Sequence, residues 1–189
     1  MPRPADIPAV DDAALERAAL RYLERFAAPR RQLARVLMRR VQRAVRAGVL
    51  AQEEGAARVE AIVARLAARG LLDDRLFAEG RARSLNQRGR SAAAIRMSLR
   101  VRGVDDEDVA AALARLSVEQ DAPELAAALA LARRRRLGPY RPPAERAARR
   151  DKDLAVFARA GFDLRLAARI VDAPSPEALA DLMAETESR

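Results

Sequence analysis

A short punctuation mark recurs along this chain: a glycine, one or two apolar residues, then an acid. It stands at Gly70-Leu71-Leu72-Asp73, at Gly103-Val104-Asp105 and, 58 positions beyond the second, at Gly161-Phe162-Asp163. A glycine just past an apolar run supplies the left-handed residue that ends a helix. The acid behind it is a preferred N-cap for the next one. Between the marks, apolar residues fall at helical spacing: Leu33, Val36, Leu37 and Val41, then Val59, Ile62, Val63 and Leu66, then Ile95 with Leu99, and Val109 with Leu113 and Leu116. Strand-like alternation is nearly absent. Alanine dominates the apolar set and aromatics are only 3% of residues, which favours helix over sheet.

The spacing predicts helices over 12–27, 30–47, 54–69, 73–88, 91–102, 105–116, 121–137, 144–160 and 163–172, with Asp12, Asp73, Ser91, Asp105 and Asp163 as N-caps and Gly48, Gly70, Gly103 and Gly161 as stops. A short tenth helix over 176–186, opened by Ser175-Pro176-Glu177, fits an acidic tail at 173–189; residues 1–11 read as a disordered leader. The helices group in threes. Leu33-Ala34-Arg35-Val36-Leu37 is echoed by Ile95-Arg96-Met97-Ser98-Leu99, 62 positions on. Three three-helix repeats follow, at 12–72, 73–117 and 121–172. Units this small bury too little surface alone, so an all-α, elongated array of stacked repeats is expected.

Charge follows the same repeat. The chain has 36 Lys+Arg against 27 Asp+Glu, and Lys152 is the only lysine. Residues 30–46 hold seven arginines and no acid, residues 81–102 again seven and no acid, and residues 133–150 eight against Glu145. At 100° per residue, Arg31, Arg35, Arg39, Arg43 and Arg46 form a stripe opposite Leu33 and Leu37. Such runs lack the i,i+4 acids of a salt-bridged surface. A polyanionic partner suits them better. The candidate contact residues are Arg31, Arg35, Arg39 and Arg43 on the first flank, and Arg81, Arg83, Arg88, Arg90, Arg96 and Arg100 on the second. The Arg133–Arg136 run is explained equally well by the preference of a helix C-terminus for cations.

Other chemistry is excluded by composition. The chain has no cysteine and no histidine, which removes disulfides, thiol nucleophiles, imidazole bases and Cys/His zinc sites. Asp73-Asp74 and Asp105 to Asp108 each open a predicted helix, so capping and the helix dipole explain them better than metal binding. No cofactor or metal is expected. Met1 to Val10 carries three prolines and no apolar core, so no signal peptide is read there. A cytoplasmic monomer without a membrane partner is expected.

At the residue level the chain is recognisable. Ala19-Leu20-Arg21-Tyr22-Leu23, Gln32-Leu33-Ala34-Arg35-Val36-Leu37 and Arg69-Gly70-Leu71-Leu72-Asp73-Asp74-Arg75-Leu76-Phe77-Ala78 resemble the RecX family of recombination regulators, as does Gly89 to Gly103. The resemblance covers roughly residues 15–172. It implies an all-helical array of three-helix repeats that binds RecA recombinase and its filament on single-stranded DNA. It also implies inhibition of filament growth, ATP hydrolysis, strand exchange and coprotease activity. Where the family carries a Gly-aromatic-Gly turn, this chain has Gly89-Arg90-Ser91, and its third unit reads Ala160-Gly161-Phe162 with the arginine one place early at Arg159.

Two further classes compete with a filament regulator. One is a sequence-nonspecific DNA-binding protein with no recombinase partner, docking 91–102 in a groove through Arg96 and Arg100. The other, a carboxylate-dependent nuclease, is disfavoured because the chain has no His, no Cys and no convincing phosphate loop. Phe77 and Phe157 read as core. With four Phe and two Tyr in all, a surface built on base stacking is disfavoured.

Overall fold

The computed structural model describes residues 10–187, and among them every regular element is helical. The α-helices in order are α1 (Asp12–Leu23), α2 (Arg30–Arg46), α3 (Gln52–Ala68), α4 (Asp74–Gln87), α5 (Ala92–Arg102), α6 (Asp106–Glu119), α7 (Pro123–Arg135), α8 (Pro143–Arg159), α9 (Leu164–Val171) and α10 (Pro176–Glu187). A 3-10 turn, Gly138–Tyr140, links α7 to α8. The expected leader at 1–11 lies mostly outside the described residues, as do the last two residues of the tail. No helix among the described residues is long and apolar enough to cross a membrane.

Local signals set most boundaries. The four glycines expected as stops all adopt positive φ, and Asp163 accepts the N–H groups of Arg165 and Leu166 at 2.8 and 3.3 Å. Two expectations need correction. Helix α1 is capped by Asp11, not Asp12: the Asp11 carboxylate accepts the Ala14 N–H at 2.7 Å. It also ends at Leu23 rather than 27, where the Arg25 N–H turns to the Tyr22 carbonyl, three residues back instead of four. Pro29 then starts the next helix, and the residue before a proline resists helical backbone.

The packing forms two compact units. Among the described residues, the first comprises the chain up to Phe77 with Arg102–Asp105, and the second comprises Ala78–Val101 with the chain from Asp106 onward. The middle helix triplet thus contributes to both. In the first unit, Leu33, Leu37 and Val41 of α2 pack with Val59, Ile62 and Leu66 of α3 and Leu15 and Ala19 of α1. Burying each such aliphatic side chain contributes about 1.5–3 kcal/mol. The apolar face, not the arginines, therefore holds α2 in place.

Helix α2 begins with Pro29, which offers no side-chain cap, and has no acid in its first turn. Asp74 makes up the deficit from 44 residues away, its Oδ1 accepting the Arg30 N–H at 2.8 Å. Asp73 caps its own helix through the Leu76 N–H at 2.8 Å. The acidic pair thus serves two helix ends rather than one. Asp73→Ala is expected to cost about 0.5–2 kcal/mol, and Asp74→Ala less, because water reaches the exposed Arg30 N–H. Urea denaturation followed by circular dichroism measures both, and an unaltered Asp73→Ala midpoint would refute the cap.

In the second unit, Leu125, Ala128, Leu131 and Ala132 of α7 meet Phe157 of α8, Phe162, and Ala167 and Ile170 of α9. Phe157 and Phe162 stand edge to face at 5.8 Å. The C-terminal segment is more than an acidic tail: Leu179 of α10 is buried in this core, with Leu182 and Met183 against it. Its first turn is capped by Ser175, whose Oγ accepts the Ala178 N–H at 3.3 Å.

Candidate functional site

The arginine stripe of α2 exists as the periodicity predicts, with Leu33, Leu37, Val41 and Ala44 buried on the opposite face. Arg31, Arg35, Arg39, Arg43 and Arg46 are all exposed. Their environments differ. Arg31 pairs with Asp105 at 2.9 Å, and Gly103 lies so close that a Cβ there would sit 2.5 Å from the Arg31 Cβ. The Arg35 guanidinium donates to the Arg31 carbonyl at 3.3 Å. Among the described residues no carboxylate comes within ion-pairing distance of Arg39, Arg43 or Arg46. The uncompensated charge is therefore at the C-terminal half of α2, where the helix dipole also favours it.

Beside the start of this helix lies an aromatic pair. Tyr22 and Phe26 have ring centroids 5.3 Å apart, Arg25 stacks over Phe26 at 5.5 Å, and the Tyr22 hydroxyl accepts from the Gln32 amide at 2.8 Å. Phe26 is half exposed. The four-residue spacing of Tyr22 and Phe26 is the signal that could have found this pair, since side chains at i and i+4 meet on a helix.

The second flank divides more sharply. Arg83 pairs with Glu119 at 3.1 Å and Arg100 with Asp106 at 2.6 Å. Arg96 acts on Glu124, whose carboxyl is pushed up by burial against the opposing pull of the Ala92 N–H and of Arg96 itself. Arg81 is half-buried and engaged within the fold. Arg88 and Arg90 are exposed with no carboxylate in range among the described residues. The absence of acids within 81–102 is thus misleading: Glu119, Asp106 and Glu124 arrive from later helices. A helix docked in a groove through Arg96 and Arg100 would have to break both arrangements.

The Gly89-Arg90-Ser91 turn carries much of the second unit's geometry. The Ser91 hydroxyl donates to the Ala160 carbonyl at 2.7 Å and accepts the Ala94 N–H at 3.2 Å, tying the start of α5 to the end of α8. Glu124 accepts the Ala92 N–H at 2.8 Å and completes the cap. Gly89 has φ 75° and lies against α7, where an added Cβ would be 2.7 Å from the Leu131 nitrogen. That approach brings Gln87 and Arg88 beside Leu129, Ala130, Arg133 and Arg134, and with Tyr140 they line a cleft of about 530 Å³.

The turn that carries Tyr140 is held by a buried ion pair. Asp153, 1% exposed, receives two hydrogen bonds from Arg141, Nε at 2.8 Å and Nη2 at 2.8 Å, and the Gly138 N–H at 2.9 Å. Arg146 donates to the carbonyls of Pro139, Arg141 and Pro174 at 2.8, 3.1 and 2.6 Å. Arg150 pairs with Asp172 through bonds of 2.7 and 2.6 Å. Two of the eight arginines in 133–150, Arg141 and Arg146, therefore brace the turn that carries Tyr140, and Arg150 fastens α8 to the end of α9, which charge counting alone does not distinguish. Among the described residues no cluster of three or more acids, cysteines or histidines is placed to hold a metal.

The comparisons with known proteins agree with one another. Residues 73–113 match the family model described as RecX, second three-helix domain. The chain is 44% identical over 159 residues to the regulatory protein RecX of Myxococcus xanthus, covering 84% of each chain. It is 35% identical over 107 residues to the regulatory protein RecX of Agrobacterium fabrum, covering 57% of this chain and 55% of that one. Among solved structures, a regulatory protein RecX superposes with a TM-score of 0.58 at 22% identity, over 86% of this chain and 72% of the other. RecX from Lactobacillus salivarius does so with 0.56 at 18% identity, over 86% and 96%. The two structures establish the all-helical fold, and identity sustained over most of both chains establishes more: this protein belongs to the RecX family, whose members regulate rather than catalyse.

Proposed function

We propose that the protein binds RecA recombinase and its filament on single-stranded DNA, as a cytoplasmic monomer, and inhibits the recombinase, ATPase and coprotease activities. The family supplies the partner. The observation that carries the contact is the uncompensated half of the α2 stripe, where Arg39, Arg43 and Arg46 stand exposed on the face opposite the core. Unpaired guanidiniums along one helix face suit a row of phosphates or acidic side chains. Arg88 and Arg90 offer the same chemistry in the second unit, while Arg31, Arg83 and Arg100 would exchange one partner for another. That exchange weakens their net contribution, so we rank Arg39 and Arg43 above the paired candidates.

A comparison of bare and coated DNA tests this reading. On duplex, each phosphate contact adds roughly 0.9 to the log–log salt slope. Binding to the recombinase filament should persist at salt that abolishes binding to naked DNA, because protein–protein contacts add a less screened component. Arg35→Glu, Arg39→Glu and Arg43→Glu combined should weaken filament binding tenfold or more and relieve ATPase inhibition, with helicity unchanged. Equal affinity and slope on both substrates, with the ATPase untouched at saturation, would leave a plain DNA-binding protein.

A further inference from the structure

We infer that the cleft of the second unit is a binding site for a nucleoside phosphate, with Tyr140 as the face on which the base rests. This goes beyond the regulator reading, because it requires no recombinase.

Three observations converge. Arg88, Arg133 and Arg134 share one concavity, and among the described residues no carboxylate neutralises any of them. Like charges held together without a counter-charge create a local field that an anion relieves, and guanidinium forks match phosphate oxygens bidentately. The volume, about 530 Å³, is within the range of small-molecule sites and exceeds what a lone phosphate needs. The remaining lining suits what a nucleotide carries besides phosphate. Tyr140 is half-buried with no hydrogen-bond partner for its hydroxyl among the described residues, and Gln87 presents an amide that both donates and accepts. An aromatic face beside an amide fits a base better than it fits the flexible carboxylates of an acidic peptide.

The site is also rigidly built. Gly89 sets Gln87 and Arg88 against α7, and the turn carrying Tyr140 is fastened by Asp153, Arg141 and Arg146. Such fixing lowers the ordering cost of binding. The nucleotide has two sources, a free mononucleotide or an internal residue of a single strand, and the same groups would read either.

The chain contains two tyrosines and no tryptophan, so in Tyr22→Phe the intrinsic emission comes from Tyr140 alone. Titrating that variant with a short oligothymidylate, and separately with thymidine monophosphate, is expected to quench the emission twofold or more, after correction for absorbance against free tyrosine amide. Quenching by both ligands indicates that the monophosphate suffices. Quenching by the strand alone assigns the site to nucleic acid. Arg133→Glu with Arg134→Glu should weaken binding at least tenfold and lower the salt slope by about 0.7 for each phosphate that is no longer held. Tyr140→Ala should cost about fivefold or more, with anisotropy of a labelled oligonucleotide as the readout. Circular dichroism confirms folding, and Tyr140→Leu serves if the alanine variant unfolds. Oligonucleotide binding that leaves Tyr140 emission and the Arg133/Arg134 variant's affinity unchanged would overturn the inference. So would competition by a glutamate-rich peptide as effective as the oligonucleotide. Recombinase inhibition is absent from every arm, so the two readings fail independently.

Discussion

Replacing Asp153 by alanine is expected to cost about 3–5 kcal/mol, the range for removing one partner of a buried ion pair. The carboxylate is 1% exposed and holds both Arg141 and the Gly138 N–H. Its loss strands a half-buried guanidinium and a backbone donor together. Guanidinium denaturation followed by circular dichroism gives the number, and a loss below about 1 kcal/mol would show that the pair holds little. Arg141→Met combined with Asp153→Leu should recover much of the loss, since apolar replacement of a whole buried pair is often neutral. The Gly138 N–H would still lack its acceptor, leaving a deficit of about 1–3 kcal/mol.

The pair also predicts a direction in pH. Burial pushes the Asp153 carboxyl up, but the Arg141 hydrogen bonds and the Gly138 N–H outweigh it and hold the group below the usual range. A depressed native pKa means the stabilisation is complete above the unfolded value, near 4. It is lost as the pH falls through the native value. The stability gap between the native protein and Asp153→Asn should therefore be full at neutral pH and shrink below about pH 4. A gap that stays constant into acid would contradict this.

Gly89→Ala is expected to cost about 2–5 kcal/mol, combining roughly 1–2 for left-handed backbone with about 1–3 for overpacking. The second component dominates because the obstacle is backbone: the Leu131 nitrogen at 2.7 Å and the Ala127 carbonyl oxygen at 3.0 Å from the added Cβ. Gly70→Ala is the control. Its φ is 73°, but nothing lies within 4 Å of its added Cβ, so only the backbone cost of about 1–2 kcal/mol should appear. Equal losses at the two sites would mean that the close approach to α7 carries no weight. Because Gly89 sets Arg88 beside Arg133 and Arg134, its alanine variant should also weaken nucleotide binding even where it remains folded.

The features legible in the sequence were local. Helix α2 and its two faces follow from Leu33, Leu37 and Val41 recurring at 3.6-residue spacing, and its stop follows from Gly48. The caps at Asp73 and Asp163 are likewise three-residue patterns, satisfied within one turn. The charge partners were not local. Asp105 reaches Arg31, Glu119 reaches Arg83, and Asp74 reaches the Arg30 N–H, each from a helix end that only folding brings near.

An all-helical chain with exposed arginine on the face of α2 opposite its core follows from residue order alone, because helical periodicity and caps act over four residues or fewer. Which arginines are engaged by the fold and which stay available depends on long-range packing. Arg141, Arg146 and Arg150 look the same in sequence as Arg133 and Arg134, yet the first three bind Asp153, main-chain carbonyls and Asp172. The last two line an open cleft. A guanidinium's role is set by the acceptors within about 3 Å of it, and those acceptors come from parts of the chain that its neighbours in sequence do not specify.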